Sequence, residues 1–476
     1  MTLSPLDSPF ASRYGSAEMR EIWSDANRRR LWRRIWVALA EAQAGAGLVT
    51  PEQVADLKAA ANRLNTERAL EIEKEIGHDV MAEVRAFAEQ CPVGGGVIHW
   101  GATSADVTDN ADALRQRQAL RLMREKLVEL LRAFAEQITL HRALACMAYT
   151  HLQPAEPTTM GYRLAMYAQD LLVHLAALDQ LIAELRGKGL KGAVGTAASY
   201  AELLAGTGVT PAQLEAHVLQ SLDLPAFPVA AQTYPRTQDY RVLAGLAGLA
   251  ASLHKFAFDL RLMQSQGCGE MAEPFGEKQV GSSAMPFKRN PVNAEKICSL
   301  ARYVAALPAV AWENAAQALL ERTLDDSANR RIVFPEAFLA CDEMLQTAIH
   351  IVRGLVVEAA ACAANLEKYG PFAATERVLM ALVRAGADRQ RMHERLREHS
   401  LKAWSAVKAG RPNSLADFIA ADTELLRLLQ PARLRELMKA EGYVGTAIER
   451  AEALVTEIKR VVSIPISARG RHTLEA

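Results

Sequence analysis

The feature that most constrains this chain is a set of unusually long apolar repeats at helical spacing. From Arg236 to about Gln266 no proline occurs, and apolar residues recur every three or four positions. They are Val242, Leu243, Leu246, Leu249, Leu253, Phe256, Leu260 and Met263. A helix of about 30 residues is ~45 Å long and cannot bury its own apolar stripe. The pattern therefore predicts an all-α protein of bundled helices.

Comparable repeats cover residues 106 to 147, 158 to 186 and 294 to 320, where Pro308 is expected to kink or break the helix. Small residues between Leu243 and Ala251 permit close helix packing and widen the apolar face. Two interpretations fit that wide face: burial within one chain, or association between subunits.

The chain divides by pattern into three helical domains. They are an N-terminal domain at 1-103, a central bundle of long helices at 104-360, and a C-terminal domain of shorter helices at 361-476. Boundaries are indicated near the glycine run 94 to 96 and near Gly370-Pro371. The polar segment 467 to 476 is expected to fray.

Composition limits the classes of partner. The chain has 55 basic and 55 acidic residues, so no global field favours nucleic acid or an anionic membrane. Six dispersed cysteines without a C-x-x-C pair disfavour a zinc site or a disulfide scaffold. The first residues lack a secretory apolar run, and no window approaches ~18 uninterrupted apolar residues. We expect a soluble, cytoplasmic protein with no nucleic-acid or membrane partner.

The most informative local motif spans residues 281 to 291, Gly-Ser-Ser-Ala-Met-Pro-Phe-Lys-Arg-Asn-Pro. A serine hydroxyl is a weak base unless positive charge or backbone N–H groups stabilise its alkoxide. Gly281 and Lys288 are candidates for that role. By composition alone the segment also fits a flexible linker rich in turn residues.

This motif resembles the signature loop of the aspartase/fumarase superfamily, and further matches follow in the expected order. They are Ser12-Arg13-Tyr14, His78 to Ala82, Thr103-Ser104 with Asp106, Thr150-His151 with Pro154 and Thr158-Thr159, Gln232-Thr233-Tyr234, and Glu321 to Arg331. The last resembles the branch that acts on succinylated purine nucleotides. The resemblance implies β-elimination of fumarate, no metal or organic cofactor, and a homotetramer whose central helices merge into one bundle.

The elimination needs a base, a stabiliser of the carboxylate-conjugated dianion, and an acid for the leaving nitrogen. The resemblance assigns the base to Ser282 and the acid to His151, whose side-chain type has an ordinary pKa of ~6.5. Ser283 is expected to cradle the dianion through its backbone N–H, and it stays open which serine transfers the proton. His78 is expected in the active site with Asp79 fixing its tautomer, or else as a polar residue at a helix N-terminus.

The resemblance also implies a set of substrate contacts. Phosphate, base and succinyl contacts are expected from Arg13, Tyr14, Arg322, Ser327 and Arg331. Lys288 and Asn290 are expected to bind a carboxylate, and the remaining pocket residues are Thr103, Ser104, Thr150, Gln232 and Lys296. The alternative for 321 to 331 is a salt-bridged helix face, with Arg322 and Arg330 each four residues from Asp326.

Two positions depart from the family pattern. Gly77 stands where many relatives carry a larger residue, and Lys296 stands where some place an arginine, which loses the bidentate fork. Alternatives to the purine branch are another fumarate-releasing lyase or a carboxymuconate cycloisomerase of the superfamily, or a non-catalytic structural homologue.

Two expectations concern organisation of the site. Glycines at 267, 269, 276 and 281 predict a loop that closes over substrate. The functional segments at 78, 151, 282 and 322 lie far apart on or beside long helices, so the active site is expected to be shared between subunits.

Overall fold

The computed structural model describes residues 8–464 and confirms the all-α prediction. The helices are α1 Pro9–Ser12, α2 Ala17–Trp23, α3 Asp25–Gly45, α4 Pro51–Ala60, α5 Thr66–Ile76, α6 Asp79–Ala88, α7 Ser104–Leu140, α8 Met160–Glu184, α9 Ala198–Leu203, α10 Pro211–Leu222, α11 Thr237–Met263, α12 Val292–Ala306, α13 Pro308–Ala316, α14 Asp325–Arg353, α15 Ala359–Arg384, α16 Arg389–Lys408, α17 Leu415–Ala420, α18 Pro431–Leu437 and α19 Ala447–Val462. Short 3₁₀ helices span Gly95–Val97 and Leu425–Arg427. The segment 467 to 476, expected to fray, lies outside the described residues.

The long helices form the bundle that the apolar repeats predict. Helix α7 has 37 residues and is about 55 Å long; α8, α11, α12 and α14 pack along it or along one another. The predicted break at Pro308 is confirmed: α12 ends at Ala306 and Pro308 is the first residue of α13. Proline is tolerated there because the first helical N–H has no intrahelical acceptor.

A small amount of strand interrupts the helices, and part of it falls where the sequence predicted helix. The repeat expected to reach residue 147 stops at Leu140, because β1 Ala145–Thr150 pairs antiparallel with β2 Gln153–Thr159. A second pair joins β3 Met271–Ala272 to β4 Val356–Val357. The first hairpin places the Thr150-His151 motif at its turn, where Thr150 pairs with Gln153.

The N-terminal segment and the bundle share one hydrophobic core. Buried Trp32, Trp36 and Phe87 belong to the same cluster as the inward faces of α7, α11 and α14. Residues between 374 and 438 form a separate cluster, and α19 returns to pack on α7 and α8. The domain limits at residues 103 and 360 therefore stay a prediction.

The boundary expected at Gly370-Pro371 falls inside α15, which continues through both residues. A Cβ at Gly370 would lie 2.5 Å from Cβ of Ala440. This glycine therefore serves close packing against the 438 to 446 segment and does not mark a break.

Among residues 8–464, α11 is the one helix whose length and mean hydropathy of 1.2 would suffice to cross a membrane. Of its most apolar window, 44% is buried inside the protein. The core helix of a soluble protein passes the same test, so this finding is weak evidence for a membrane span.

Candidate active site

A cavity of about 710 Å³ lies where the N-termini of α6, α7 and α14 converge. It brings together eight of the predicted site residues: His78, Asp79, Thr103, Ser104, Gln232, Arg322, Ser327 and Arg331. Each helix N-terminus carries partial positive charge and unpaired N–H groups, so three of them at one cavity favour an anionic ligand.

His78 caps helix α6 and stands half-exposed at the cavity. Its Nδ1 accepts a hydrogen bond from the Met81 N–H at 3.3 Å, which places the proton of the neutral ring on Nε2. Asp79 does not fix this tautomer as expected, since its Oδ1 lies 3.9 Å from His78 Nδ1. Asp79 instead pairs with Arg331, Oδ2 to Nη2 at 2.7 Å.

The guanidinium groups of Arg322 and Arg331 supply positive charge to the cavity. Arg322 pairs with Asp326 through Nη1 at 2.8 Å, as the helix-face alternative predicted, yet its side chain is 26% exposed. Arg331 is 51% exposed, and one nitrogen of its guanidinium group pairs with Asp79. Both retain donors that face the cavity, so the ion pairs and an anion-binding role are compatible.

Asp326 and Arg330 were also expected to pair with each other on this helix face, but each forms its hydrogen bonds with other residues. Arg330 Nε donates to Asp239 Oδ2 at 2.7 Å, and Asp326 Oδ2 accepts from Arg236 Nε at 2.6 Å. Burial opposes ionisation of Asp326, but the neighbouring guanidiniums, Arg236 foremost, hold the pKa of its carboxyl below the ordinary value.

This buried ion network forms the floor of the cavity. Tyr234, from the motif 232 to 234, is fully buried and donates its hydroxyl to Asp239 at 2.6 Å. Burial raises its pKa well above the ordinary range, so it acts as a neutral donor in the core. Only Gln232 of that motif lines the cavity.

Several cavity residues were not predicted from sequence. They are chiefly Trp23, Arg28, Trp32 and Glu73 of the N-terminal segment and Asp109, Asp112 and Arg115 of α7. The α7 residues carried a usable signal, because charged side chains recur at spacings of three at the start of a helix that the bundle prediction requires to be largely buried. The N-terminal residues carried none, because their proximity to residue 78 depends on tertiary packing.

Thr103 is the N-cap and Ser104 the first residue of α7, and the Asp106 side chain holds this first turn of the helix in place. Asp106 is fully buried; its carboxylate accepts from the Thr103 N–H at 3.1 Å and from Lys188 Nζ at 2.6 Å. Asp106 therefore holds the turn and the 187 to 192 loop together, and its place in the motif is structural.

The signature loop lies outside this cavity, after the far end of α11. Ser282 Oγ accepts backbone hydrogen bonds from Met285 at 3.1 Å and Ala284 at 3.4 Å. The N–H donors expected to stabilise an alkoxide are therefore present, but they come from residues 284 and 285 and not from Gly281. Ser283 and Lys288 are exposed.

Asn290 and Gly281 close the signature loop on itself. Asn290 Nδ2 donates to the Gly281 carbonyl at 2.9 Å. A Cβ at Gly281 would lie only 2.2 Å from the Lys288 carbonyl oxygen, so no larger residue fits. One N–H of the Asn290 amide thus maintains the loop, and the second N–H of the same nitrogen stays available to donate to the substrate carboxylate.

His151 stands at the tip of the β1-β2 hairpin, with exposed Thr150 beside it. His151 and Leu152 have φ of 52° and 61°, a left-handed pair that two-residue hairpin turns usually fill with Asn-Gly. Residues other than glycine that adopt a strained backbone conformation are concentrated at functional sites. At such a site the side chain is kept for its function, although another residue would suit the turn better.

Arg13, Tyr14 and Lys296 form a further group against the middle of α14. The Gly15 N–H donates to Glu343 Oε2 at 3.1 Å, and Lys296 Nζ pairs with Glu343 Oε1 at 2.6 Å. Lys296 therefore has a carboxylate partner within the chain, and its contact with substrate stays a prediction. It fixes the carboxylate that holds the turn after Arg13 and Tyr14.

One chain thus carries the predicted residues in separate groups. The cavity lies at the start of α7 and the His151 hairpin beyond its end, about 55 Å apart. The Ser282 loop follows the end of α11, which starts beside the cavity at Gln232 and Arg236.

Comparison with known proteins identifies the family of this arrangement. A family model described as Lyase matches residues 13–305, and one described as Adenylosuccinate lyase C-terminus matches residues 371–454. Solved structures with the same fold include a 3-carboxy-cis,cis-muconate lactonizing enzyme from Pseudomonas putida, with a TM-score of 0.84, 26% identity and coverage of 96% of this chain and 100% of that one. A fumarate lyase from Mesorhizobium sp. BNC1 has a TM-score of 0.83, 25% identity and coverage of 95% and 100%.

Sequence relatives are more similar and share one name. Adenylosuccinate lyase of Schistosoma mansoni is 40% identical, covering 95% of this chain and 94% of the relative. The Saccharomyces cerevisiae enzyme is 38% identical with coverage of 94% and 93%, and that of Archaeoglobus fulgidus is 34% identical with coverage of 95% and 99%. The chain therefore belongs to the adenylosuccinate lyase family.

Proposed function

We propose that this protein is a carbon–nitrogen lyase that eliminates fumarate from adenylosuccinate to give AMP, and from succinylaminoimidazole carboxamide ribotide in the same way. The observation that carries the proposal is the cavity at three helix N-termini, with Arg322 and Arg331 only partly paired. Both substrates carry a phosphate and two carboxylates, which such donors bind well. AMP formation places the enzyme in purine nucleotide biosynthesis.

The chemistry follows from the residues that the proposal gathers. Ser282 Oγ, with Met285 and Ala284 N–H groups pointing at it, removes the proton from the succinyl carbon next to a carboxylate. The electron pair moves into that carboxylate and then forms the double bond of fumarate as the carbon–nitrogen bond breaks. His151 protonates the departing nitrogen, so the purine product leaves neutral at that atom.

We also propose a homotetramer in which different subunits complete each site. Its support is the separation of the groups in one chain, together with large apolar side chains exposed on the bundle helices. These are Met166, Val173, Phe258, Leu262, Tyr303, Trp312 and Ile332. Antiparallel neighbours would cover these faces and bring the hairpin and signature loop of other chains to the cavity.

A cytoplasmic location is part of the proposal. Its support is that all six cysteines are free thiols, five of them buried. Thiols persist unpaired in reducing compartments.

The direct test is product analysis with purified protein. Incubation with adenylosuccinate should release fumarate and AMP in equal amounts, measured by chromatography. The fold similarity to the muconate lactonizing enzyme makes 3-carboxy-cis,cis-muconate the second substrate to offer. Consumption of the muconate with adenylosuccinate left intact would contradict the proposal and favour the cycloisomerase alternative.

A further inference from the structure

We propose that Arg28, held against the ring of Trp32, is a specificity-determining residue on which the nucleobase of the substrate stacks. Both side chains come from the N-terminal part of α3 and line the cavity. The guanidinium carbon of Arg28 lies over the Trp32 ring, 4.9 Å from its centroid. The inference rests on the proposed function, because it takes the cavity to be the site that binds the nucleotide.

Among the described residues, three tryptophan and phenylalanine rings line the cavity, and each has an arginine over its face. The pairs are Arg28 with Trp32 at 4.9 Å, Arg115 with Trp23 at 4.5 Å and Arg330 with Phe334 at 5.7 Å from guanidinium carbon to ring centroid. Such pairs are attractive, because the guanidinium is a planar, weakly hydrated cation and the face of an aromatic ring is electron-rich. A guanidinium plane is also a surface on which nucleobases stack.

Two of these three arginines are committed to hydrogen bonds within the protein. Arg115 donates to the Trp23 carbonyl at 2.7 Å, and only 8% of its side chain is exposed. Arg330 donates to Asp239 Oδ2 and to the Tyr234 hydroxyl, both at 2.7 Å, and 9% of its side chain is exposed. A ligand could engage either guanidinium only by breaking buried hydrogen bonds.

Arg28 is the stacked arginine that remains open to a ligand. Its side chain is 19% exposed, and its ion-pair partner is Asp25, which lies one turn earlier on α3 and is itself 43% exposed. The Nε of Arg28 has no hydrogen-bond partner among residues 8–464. One ion pair and the contact with Trp32 therefore hold this guanidinium, and a ligand can meet it without disturbing a buried network.

The charges around Arg28 favour an uncharged ring over a phosphate. The N-terminal segment brings three carboxylates to the cavity, those of Asp25, Glu73 and Asp79. Burial opposes ionisation of Asp79, but the guanidiniums of Arg331 foremost and also Arg28 hold the pKa of its carboxyl below the ordinary value. Three carboxylates around one exposed cation repel an anion, which is better placed at the N-termini of α7 and α14. A planar, neutral nucleobase fits beside Arg28.

Gly77 leaves room for such a ring. This residue is the C-cap of α5, has φ of 68°, and lines the cavity two positions before Asp79. A Cβ placed on Gly77 would have nothing within 4 Å. The departure from the family pattern at residue 77 therefore leaves open space in the part of the cavity that Arg28 and Asp79 share.

Stacking on Arg28 predicts a difference between two ligands that share a phosphate. AMP carries the base, and ribose 5-phosphate lacks it. Lysine at position 28 keeps the positive charge but has no planar group. In Arg28→Lys the Kd of AMP should rise about fivefold or more, whereas the Kd of ribose 5-phosphate should stay within about twofold. Isothermal titration calorimetry on the assembled protein measures both constants.

Two further variants serve as controls. Arg30→Lys changes an exposed arginine of the same helix that does not line the cavity, and it should alter neither constant. Arg322→Lys removes a guanidinium that is expected to bind an anion, and it should weaken AMP and ribose 5-phosphate together.

Turnover of the two proposed substrates gives a second readout. Adenylosuccinate carries a two-ring base and the imidazole carboxamide ribotide a one-ring base, so adenylosuccinate has more stacking area to lose. The kcat/KM of Arg28→Lys should therefore fall further for adenylosuccinate than for the ribotide. An equal loss with both substrates would contradict a role in specificity.

The binding experiment separates failure of this inference from failure of the proposed function. Equal weakening of AMP and ribose 5-phosphate in Arg28→Lys would make Arg28 an anion contact and overturn the base contact. An unchanged Kd of AMP would overturn it as well, and in both cases fumarate release by wild type leaves the lyase activity standing. Wild-type protein that neither binds AMP nor releases fumarate would reject the proposed function and the base contact with it.

Discussion

Ser282 sits in a loop whose own backbone is arranged to receive negative charge. Two N–H groups, from residues 284 and 285, converge on its Oγ. The carbonyl groups at Gly281 and Lys288 are occupied or packed within the loop, so they do not compete for that hydroxyl. A serine so placed loses its own proton more readily than a free one, because the N–H groups stabilise the alkoxide that must remove the substrate proton.

Replacing Ser282 by alanine should abolish turnover and leave folding unchanged, because it removes the proton acceptor and almost no packing. The expected loss in kcat is at least the ~10²–10⁴-fold associated with general-base catalysis. Steady-state kinetics and circular dichroism would measure both effects. Ser283→Ala is the matched control: if it, and not Ser282→Ala, removes activity, the base is Ser283.

His151→Gln should lower kcat by about 10²–10⁴-fold, since it removes the acid that protonates the leaving nitrogen. Leu152→Asn is the control for the hairpin tip, because asparagine keeps the left-handed turn and the imidazole remains. Fumarate release measured across pH would compare the variants. A His151→Gln enzyme with the rate and pH profile of wild type would show that the acid lies elsewhere.

At the scale of elements, the signature loop contrasts with the helices that bound it. The side chains of Val280, Met285 and Phe287 in this loop are 78%, 49% and 83% exposed. The start of α12, which follows the loop, is held by buried Glu273, whose carboxylate accepts hydrogen bonds from the Asn293 and Ala294 N–H groups. Apolar side chains left in water between fixed ends are typical of a segment that packs when a ligand or neighbouring subunit arrives.

Hydrogen exchange should therefore report closure of this loop. Amide exchange across residues 267 to 291 should slow when AMP with fumarate binds, because closure buries the segment and excludes water. Exchange at the start of α12, already capped by Glu273, should change little and serves as the internal reference. Identical exchange in the loop with and without ligand would contradict a lid.

The helices could be predicted because their apolar spacing is a local property, and Pro308 marked a break for an equally local reason. The start of the hairpin was missed because the first strand, Ala145–Thr150, carries helix-compatible residues, and only its pairing with the second strand and its packing on α15 decide the outcome. Residues 78, 103 and 322 line one cavity within a single chain, and their shared role in an active site stays a prediction. Arg28 and Trp32 could not be expected there, since nothing in the sequence reports which face of α3 meets α6.

For the whole molecule, the distance between the groups of predicted site residues determines whether one chain can form the complete site. No rearrangement of loops within one chain spans the ~55 Å of α7 that separates the cavity from the hairpin. In the proposed homotetramer, the exposed apolar side chains on the same helices are the surface by which other copies supply the missing groups.

Mixed oligomers should recover activity that neither parent has. Ser282→Ala and His151→Gln subunits, mixed under conditions that allow exchange, should regain part of the wild-type rate, because some sites then receive an intact serine and an intact histidine from different chains. Fumarate release and native mass spectrometry would be followed together. Verified mixed tetramers without recovery, or full activity in a verified monomer, would contradict shared sites.

The length of α7 also limits which insertions and deletions the protein can tolerate. A single inserted residue anywhere between 104 and 140 would turn the hairpin by about 100° and advance it by ~1.5 Å relative to the cavity residues at the other end. In the proposed homotetramer, the error would be repeated in every subunit and would misplace His151 at every site. Insertions and deletions among relatives should therefore fall in exposed connections such as 205 to 210, while this helix keeps its residue count as its sequence diverges.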